Sequence, residues 1–187
     1  MNVIQSLRSA GRRYRPFALL PPLLAVGCGG LQLEDNAGDS PRFDPFSYFA
    51  GQTRAWGIVQ DWRGRVVRRF DVDIEGSVEN GELRLDEEFR YADGERSTRQ
   101  WLIRSDESGR LSGTAHDIVG TAAGGLAGNA MRWRYPMDLE VGGRSYRVHF
   151  DDWLWQLDQD VLVNRSYIRK FGIKVAEVTI FMQKSDS

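Results

Sequence analysis

Cysteine and histidine are scarce in this chain of 187 residues, which has one cysteine, Cys28, and two histidines, His116 and His149. No pair of these residues has the spacing of a zinc motif, and a single cysteine cannot form an internal disulfide. The sequence therefore predicts no metal site, no bound cofactor and no disulfide framework. It also lacks a Gly-x-Ser-x-Gly element, so nothing indicates acyl-transfer catalysis.

The sequence has no apolar run long enough to cross a membrane, which takes about 20 residues. The run from Pro16 to Gly27 follows four arginines without an acidic residue and ends in small residues before Cys28. A positive segment, a short apolar segment and a small-residue site predict a secretory signal peptide over residues 1–27. The small residue before Cys28 resembles the bacterial lipobox, which implies that Cys28 is acylated, as by palmitate, and begins the mature protein.

Acylation of Cys28 would anchor the mature chain, because two or three acyl chains suffice for stable membrane attachment. Gly29 follows the cysteine, and the aspartate of an inner-membrane retention signal is absent. We therefore expect a lipid-anchored protein of the outer membrane that faces the periplasm. The alternatives for Cys28 are an ordinary signal peptide and a buried N-terminal helix.

Neither sign of charge dominates the mature chain, whose 160 residues contain 21 basic and 26 acidic side chains. No basic tract alternates with aromatic residues, so we expect no nucleic-acid partner. The length fits one domain, expected to be a monomer. Residues 28–42 are rich in Gly, Asp, Asn, Ser and Pro and predict a flexible tether, which leaves residues 43–187 as the domain.

Long amphipathic helices are also missing, and alternation of apolar and polar residues takes their place. Residues 66–78 alternate as a half-buried strand does. Asn80-Gly81 is a two-residue hairpin turn, which pairs Val78 with Leu83 and Ile74 with Glu87.

A second hairpin turns at Asp93-Gly94, and a strict two-residue loop would put Trp101 and Ile103 on the wrong face. We therefore expect a three-residue loop with a bulge, in a register that sets Arg99 opposite Phe89 and diagonally beside Glu87.

Further strands follow towards the C-terminus. Residues 131–141 alternate, turn at Gly142-Gly143 and pair with residues 146–154, which places Asp152 opposite Trp133. Two more strands are predicted near Asp160–Arg169 and Ile173–Gln183.

Eight or more strands with one apolar face must close or stack to hide that face. Consecutive hairpins favour an all-β, antiparallel up-and-down barrel of the lipocalin-like kind, with a β-sandwich as the alternative. A transmembrane barrel would need its apolar face outward, and the charges on the alternate face argue against that arrangement.

Several segments together resemble an uncharacterised bacterial lipoprotein family, domain of unknown function 3833. They are Phe43–Gly51, Arg54–Gly57, Asp86–Phe89, Thr114–Gly120, Asp151–Trp153, Asn164–Ser166 and Lys170–Gly172. The resemblance extends over residues 43–184 and includes the lipidation signal. It implies a periplasm-facing lipoprotein of lipocalin-like shape, and it implies no established activity or catalytic residues.

Four ionisable residues fall at strand positions that alternation assigns to the interior: Glu87, Arg99, Asp152 and Arg68. A charge among apolar neighbours is unfavourable unless it is paired. Arg99 would hold the carboxylate or phosphate head of a lipid whose chain lies along Trp101 and Trp133. The alternatives are an internal Glu–Arg pair that fixes the register, or residues at a rim in water. Arg68 lies too far along its strand to join Glu87 and Arg99.

The stretch Gly113–Ala130 contains five glycines and five alanines. Its His116-Asp117 pair offers a base with an orienting acid, but neighbours in a strand point to opposite faces. A bend, a small-residue helix or a lid across the barrel mouth are the alternatives.

Three functions are therefore open. The first is a binding module for a lipid or other hydrophobic or amphipathic molecule near the outer membrane. The second is an enzyme acting on envelope lipids, with Glu87, Asp117 or Asp152 as acid or base; the sequence favours a protein without catalytic residues. The third is a structural or assembly lipoprotein with a packed barrel and no ligand.

Overall fold

A computed structural model describes residues 30–185 of the chain. Cys28 and the predicted signal peptide over residues 1–27 lie outside the described residues. The described elements are a 3₁₀-helix at Leu33–Asn36, a one-turn helix α1 at Pro45–Tyr48, and ten strands: β1 (Gly51–Asp61), β2 (Val66–Glu79), β3 (Glu82–Tyr91), β4 (Arg96–Ser105), β5 (Leu111–Thr114), β6 (Ala122–Ala127), β7 (Ala130–Val141), β8 (Arg144–Gln156), β9 (Val161–Lys170) and β10 (Ile173–Lys184). No helix within these residues is long and apolar enough to cross a membrane.

The ten strands form one closed antiparallel barrel, in which each strand pairs with its neighbours in sequence and β1 pairs with β10. This confirms the lipocalin-like up-and-down barrel and excludes the sandwich. Closure removes both sheet edges, and the inward side chains of all strands share one core. That core holds most of the apolar positions of β2, β3, β4, β7 and β8 that alternation assigned to it, whereas Val66, Val78 and Val141 near the strand ends are exposed.

Most predicted registers are confirmed. Val78 lies opposite Leu83 and Ile74 opposite Glu87 across the Asn80-Gly81 turn. Asn80 and Gly81 both have positive φ, at 50° and 76°, as this tight hairpin requires. Asp152 lies opposite Trp133 as predicted.

The register of the β3–β4 hairpin differs from the prediction. The loop does have three residues and does bring Trp101 and Ile103 inward, but Arg99 lies directly opposite Glu87, and Phe89 faces Ser97. The pairing continues without a shift from Glu82 to Arg90. The predicted bulge is confirmed: the Gly94 N–H donates to the Tyr91 carbonyl, the Tyr91 N–H donates to the Glu95 carbonyl, and Gly94 has a φ of 90°, as in a three-residue loop with a bulge. The diagonal placement of Arg99 is wrong, because the hairpin pairs it directly with Glu87.

The glycine- and alanine-rich stretch forms β5 and β6, so the small-residue helix is wrong. Trp133 on β7 explains two of the glycines, Gly113 and Gly124. A Cβ on Gly113 would lie 2.9 Å from Cζ2 of Trp133, and a Cβ on Gly124 would lie 2.7 Å from its Cε3. Only glycine lets the indole lie directly against these two strands.

The chain closes one end of the barrel with its own residues 43–49. Asp44 caps α1 by accepting a hydrogen bond from the Phe46 N–H at 3.0 Å, and Phe43, Tyr48 and Phe49 are buried in the core. The Lys184 ammonium donates to the carbonyls of Ser47, Tyr48 and Ala50 at 2.9–3.1 Å. We call this end, where the β2–β3, β4–β5 and β8–β9 turns lie, the closed end, and the opposite one the open end.

The described part of the predicted tether lies along the barrel wall. The 3₁₀-helix lies against β6 and β7, and a Cβ on Gly125 would be 3.4 Å from Leu33 Cδ2. The Phe43 N–H then donates to the Gly128 carbonyl at 2.9 Å, where the chain turns into the closed end.

Candidate functional site

The barrel encloses a cavity of about 290 Å³ above the residues that close it. Five of the six residues proposed as ligand contacts from the sequence line this cavity: Glu87, Arg99, Trp101, Trp133 and Asp152. Its volume lies near the lower limit of pockets that hold small organic ligands, about 300 to 1,000 Å³. The interior is therefore hollow, and Arg99 borders the space.

Aromatic side chains form one wall of the cavity without filling it. Trp101 packs edge to face against Trp133 and Tyr135, with ring centroids 5.8 and 5.2 Å apart. Tyr135 stacks on Phe150 at 5.0 Å. These contacts hold the rings in place, as edge-to-face and stacked pairs do. The part of the cavity nearest the open end is also apolar, and the ring centroids of Phe70 and Phe89 lie 5.8 Å apart there.

Arg99 forms an ion pair with Asp117, which lies in the loop at residues 115–121 between β5 and β6. The guanidinium contacts the Asp117 carboxylate with both Nε and Nη2 at 2.6–3.1 Å. Burial opposes the charge of Arg99, but the surrounding oxygens of Tyr135, Glu87 and Asp117 outweigh it and raise its pKa. The partner of Arg99 is thus Asp117, and the internal Glu87–Arg99 pair is not formed by a direct hydrogen bond.

The loop at residues 115–121 covers part of the open end. Ile118 forms an antiparallel bridge with Met137, and the Val119 N–H donates to the Pro136 carbonyl at 2.9 Å. His116 is exposed to solvent while Asp117 points into the barrel. The two neighbours therefore cannot act together as base and orienting acid.

Glu87 and Asp152 are the chemically unusual groups of the cavity. Glu87 Oε2 and Asp152 Oδ1 are shut off from solvent and have no hydrogen-bond partner. Burial raises the pKa of Glu87 to about 7, against the attraction of Arg99. Burial likewise raises the pKa of Asp152 to about 7, although the neighbouring hydroxyls of Ser166 and Tyr135 oppose the shift. Both carboxyl groups thus titrate near neutral pH inside an apolar chamber.

Arg68 lies at the rim rather than in the cavity. Its guanidinium binds Asp93 at 3.1 Å and also Glu95 on the β3–β4 hairpin, and it covers the Tyr91 ring at 3.5 Å. These partners hold Arg68 on the outer part of the open end. The structure therefore gives it no access to the space that Glu87 and Arg99 border.

Three polar cavity neighbours escaped the sequence reasoning: Tyr135, Asn164 and Ser166. Asn164 and Ser166 point inward from β9, where the Ser166 hydroxyl donates to Asn164 Oδ1 at 3.1 Å. Alternation along β9 could have revealed them, because they share the parity of Leu162 and Ile168. Within residues 30–185, no three His, Cys, Asp or Glu side chains converge in a way that could hold a metal ion.

One family model and two solved structures are similar to this chain. A family model described as "Protein of unknown function (DUF3833)" matches residues 22–184. No curated protein matches the chain significantly. Among solved structures, the S-type phycobiliprotein lyase CPES from Guillardia theta is similar with a TM-score of 0.55 and 10% sequence identity, over 76% of this chain and 91% of the lyase. An odorant binding protein, OBP1, aligns with a TM-score of 0.34 and 14% identity, over 79% of this chain and 78% of that protein.

Proposed function

We propose that this chain, which belongs to the family described as "Protein of unknown function (DUF3833)", binds a hydrophobic or amphipathic molecule inside its barrel. The observation that carries the proposal is the hollow interior, in which two buried carboxyl groups have oxygens without partners. A buried polar atom without a partner lowers stability, and such atoms persist in native proteins where a bound group completes them.

The segments that resemble the family converge on this same cluster. Glu87, Asp117, Asp152 and the pair Asn164 and Ser166 come from four of those segments, which lie far apart in sequence. In the barrel, Glu87, Asp152, Asn164 and Ser166 line the cavity, and Asp117 holds Arg99 at its border. This convergence supports the interior as the functional part of the domain.

The polar end of the ligand is best matched by a hydroxyl group. Asp117 already neutralises Arg99, so an anionic head would lack a free counter-charge there. A hydroxyl can donate to an ionised carboxylate and accept from a protonated carboxyl, which suits groups that titrate near pH 7. The apolar walls would hold the rest of the molecule.

The test is native mass spectrometry of residues 31–187, which form a compact unit, after mild purification. We expect a co-purifying apolar molecule or uptake of tritiated hexadecanol, a long-chain alcohol, as a probe. Val178→Trp, on the cavity wall, should reduce uptake at least about fivefold, because the indole occupies the space. Thr179→Trp, the next residue on the outer face of β10, is the matched control. Absence of both a bound molecule and probe uptake would refute the proposal.

We further propose that Cys28 is acylated and anchors the barrel to the outer membrane on its periplasmic side. The proposal rests on the order of charged, apolar and small residues before Cys28. Growth of expressing bacteria with labelled palmitate should label the wild-type chain and leave Cys28→Ser unlabelled. An unlabelled wild-type chain that carries a free thiol would count against the anchor.

Acid–base catalysis is a second candidate function, because two carboxyl groups with pKa values near 7 face one cavity. A pKa near the working pH suits a general acid or base. If the protein is an enzyme, Glu87→Gln should still bind the co-purifying molecule but leave it chemically unchanged during incubation, so that the mass of the bound molecule stays constant. Identical bound species in the wild type and the variant would exclude Glu87 as a catalyst.

A further inference from the structure

We infer that the open end of the barrel docks on an anionic phospholipid surface through three neighbouring hairpins. The rim segments, as we call them, are residues 61–67 in β1–β2, residues 140–144 in β7–β8 and residues 169–175 in β9–β10. Since β10 lies between β9 and β1, and β9 lies next to β8, these hairpins are adjacent around the barrel. The inference requires neither an acyl anchor nor a ligand in the cavity.

Large apolar side chains are exposed along the rim segments. They are Trp62, Val66, Val67, Val141, Phe171, Ile173 and Val175. Phe171 is 92% exposed, Ile173 70% and Trp62 65%. Turns that face only water seldom carry such residues, and side chains of this type enter the interfacial region of bilayers.

Phe171 is unusual in its backbone as well as its exposure. It has a φ of 51°, in the left-handed region that favours glycine and asparagine. The turn therefore holds a bulky aromatic ring at its outermost point, where a small polar residue would be more stable. The ring is therefore placed to contact a surface beyond the open end of the barrel.

Charge separates the two ends of the barrel. The rim segments contain six basic side chains and two acidic ones, Asp61 and Glu140. The turns of the closed end, at residues 79–82, 106–110 and 157–160, contain six acidic side chains and one basic one, Arg110. An anionic surface would thus attract the open end and repel the closed end, which sets one orientation.

The rest of the open end has a different character. The β3–β4 hairpin presents Asp93 and Glu95, bound to Arg68, and none of the exposed large apolar side chains lies there. The docking surface is therefore one side of the rim, and the covering loop at residues 115–121 lies outside it. The barrel would sit tilted, with the mouth next to the lipid.

A second copy of the chain fits this surface poorly. A symmetric dimer through the rim segments would bring six basic side chains against six others, and like charges across an interface disfavour association. Negatively charged lipid headgroups would instead pair with these basic side chains, while the exposed apolar side chains of the rim segments enter the bilayer. The occupant that matches both properties is the anionic bilayer.

Vesicle co-sedimentation of residues 31–187 tests the inference without any contribution from Cys28. We expect binding to mixed phosphatidylglycerol and phosphatidylcholine vesicles, weakened by salt, and little binding to phosphatidylcholine alone. Phe171→Asn with Ile173→Ser should weaken binding about tenfold. So should Arg144→Gln with Lys170→Gln, whereas Lys174 already pairs with Glu177 at 2.9 Å. Asparagine suits the backbone at position 171, so the first variant should fold.

Two matched controls are available on the same barrel. Phe181→Ser removes an exposed aromatic from the outer wall, and Arg110→Gln removes a basic charge from the closed end; neither should change vesicle binding. Equal binding to both vesicle types, or equal losses in the controls, would overturn the inference. Loss of self-association in the rim variants without vesicle binding would overturn it in favour of a second copy.

Spin labels report the orientation directly, since residues 31–187 contain no cysteine. A nitroxide on Phe171→Cys should become accessible to dissolved oxygen and protected from a water-soluble nickel chelate when vesicles are added. A nitroxide on Leu157→Cys, at the closed end, should not change. A response at Leu157 instead would overturn the proposed orientation. These readings need no cavity ligand, so their failure is distinguishable from failure of the proposed binding function.

Discussion

Glu87 and Asp152 couple the stability of the barrel to pH. Carboxyl groups in an unfolded chain titrate near pH 4, whereas burial raises the pKa of both groups to about 7 in the fold. Below the unfolded pKa, both states are protonated and the full stability is present. As pH rises towards 7, only the unfolded state releases the protons, so the free energy of unfolding falls until the folded pKa is passed.

We therefore expect the urea midpoint of the wild type to decrease between about pH 4 and about pH 7. Glu87→Gln and Asp152→Asn should each remove roughly 3 kcal/mol of this dependence, because neither amide can ionise. Glu88→Gln, on the outer face of the same strand, is the control and should keep it. Wild-type pH dependence in Glu87→Gln would contradict the assignment.

Alternation along the strands was enough to place Glu87, Arg99 and Asp152 inside the barrel. It could not identify the partner of Arg99, because Asp117 lies in a loop, and a loop has no repeating residue pattern from which its path can be predicted. The contact of Tyr135 with Asp152 likewise depends on how far the strands are displaced around the closed barrel. Parity is a local property of the chain, whereas contacts across the interior depend on closure.

The residues that close the barrel behave as a separate element, and Gly76 of β2 lies against them. A Cβ at Gly76 would lie 1.8 Å from the carbonyl oxygen of Phe49. Gly76→Ala should lower the free energy of unfolding by about 2 kcal/mol or more, because main-chain atoms must move. Gly38→Ala, with open space around the new methyl group, should have little effect in the same urea titration. Equal stability of the two variants would show that residues 43–49 adjust freely.

The loop at residues 115–121 is held to the barrel by a charge. Asp117→Asn should destabilise the protein by about 2 kcal/mol, since it leaves the guanidinium of Arg99, whose side chain is 21% exposed, without a counter-ion. Arg99→Gln combined with Asp117→Asn should recover at least half of the loss in thermal or urea unfolding. If the double variant is less stable than the single one, Arg99 stabilises the barrel mainly through contacts other than Asp117, such as those with the Phe89 and Trp101 rings.

Elements without contrast between apolar and polar residues were the hardest to predict. In β5 and β6, glycine and alanine obscure the alternation, and the indole of Trp133 on β7 accounts for the glycines at positions 113 and 124. In β1, the inward residues Thr53, Ala55 and Gly57 are small, while the large Trp56 points outward. Hydrophobic patterning therefore missed strands whose inward residues are small and leave space for larger side chains on other strands.

Closure by β1 and β10 makes the whole molecule depend on its last strand. Their pairing from Thr53 and Lys184 to Asp61 and Ala176 joins the two ends of the domain. A chain that stops at Gly172 would leave β1 and β9 as exposed edges and open the core to water. We expect it to lose cooperative unfolding in circular dichroism and to aggregate. A chain that stops at Ser185 is the control, and a cooperative transition in the shorter chain would contradict this dependence.

The paired indoles of Trp101 and Trp133 give the barrel a built-in optical readout. Both border the cavity and are almost entirely buried, while Trp56 and Trp62 are exposed and Trp153 stacks on Trp155. Filling the cavity changes the polarity next to these two rings alone. Their emission spectrum would then distinguish an empty barrel from an occupied one without any added dye, which allows the natural contents to be followed in unmodified protein.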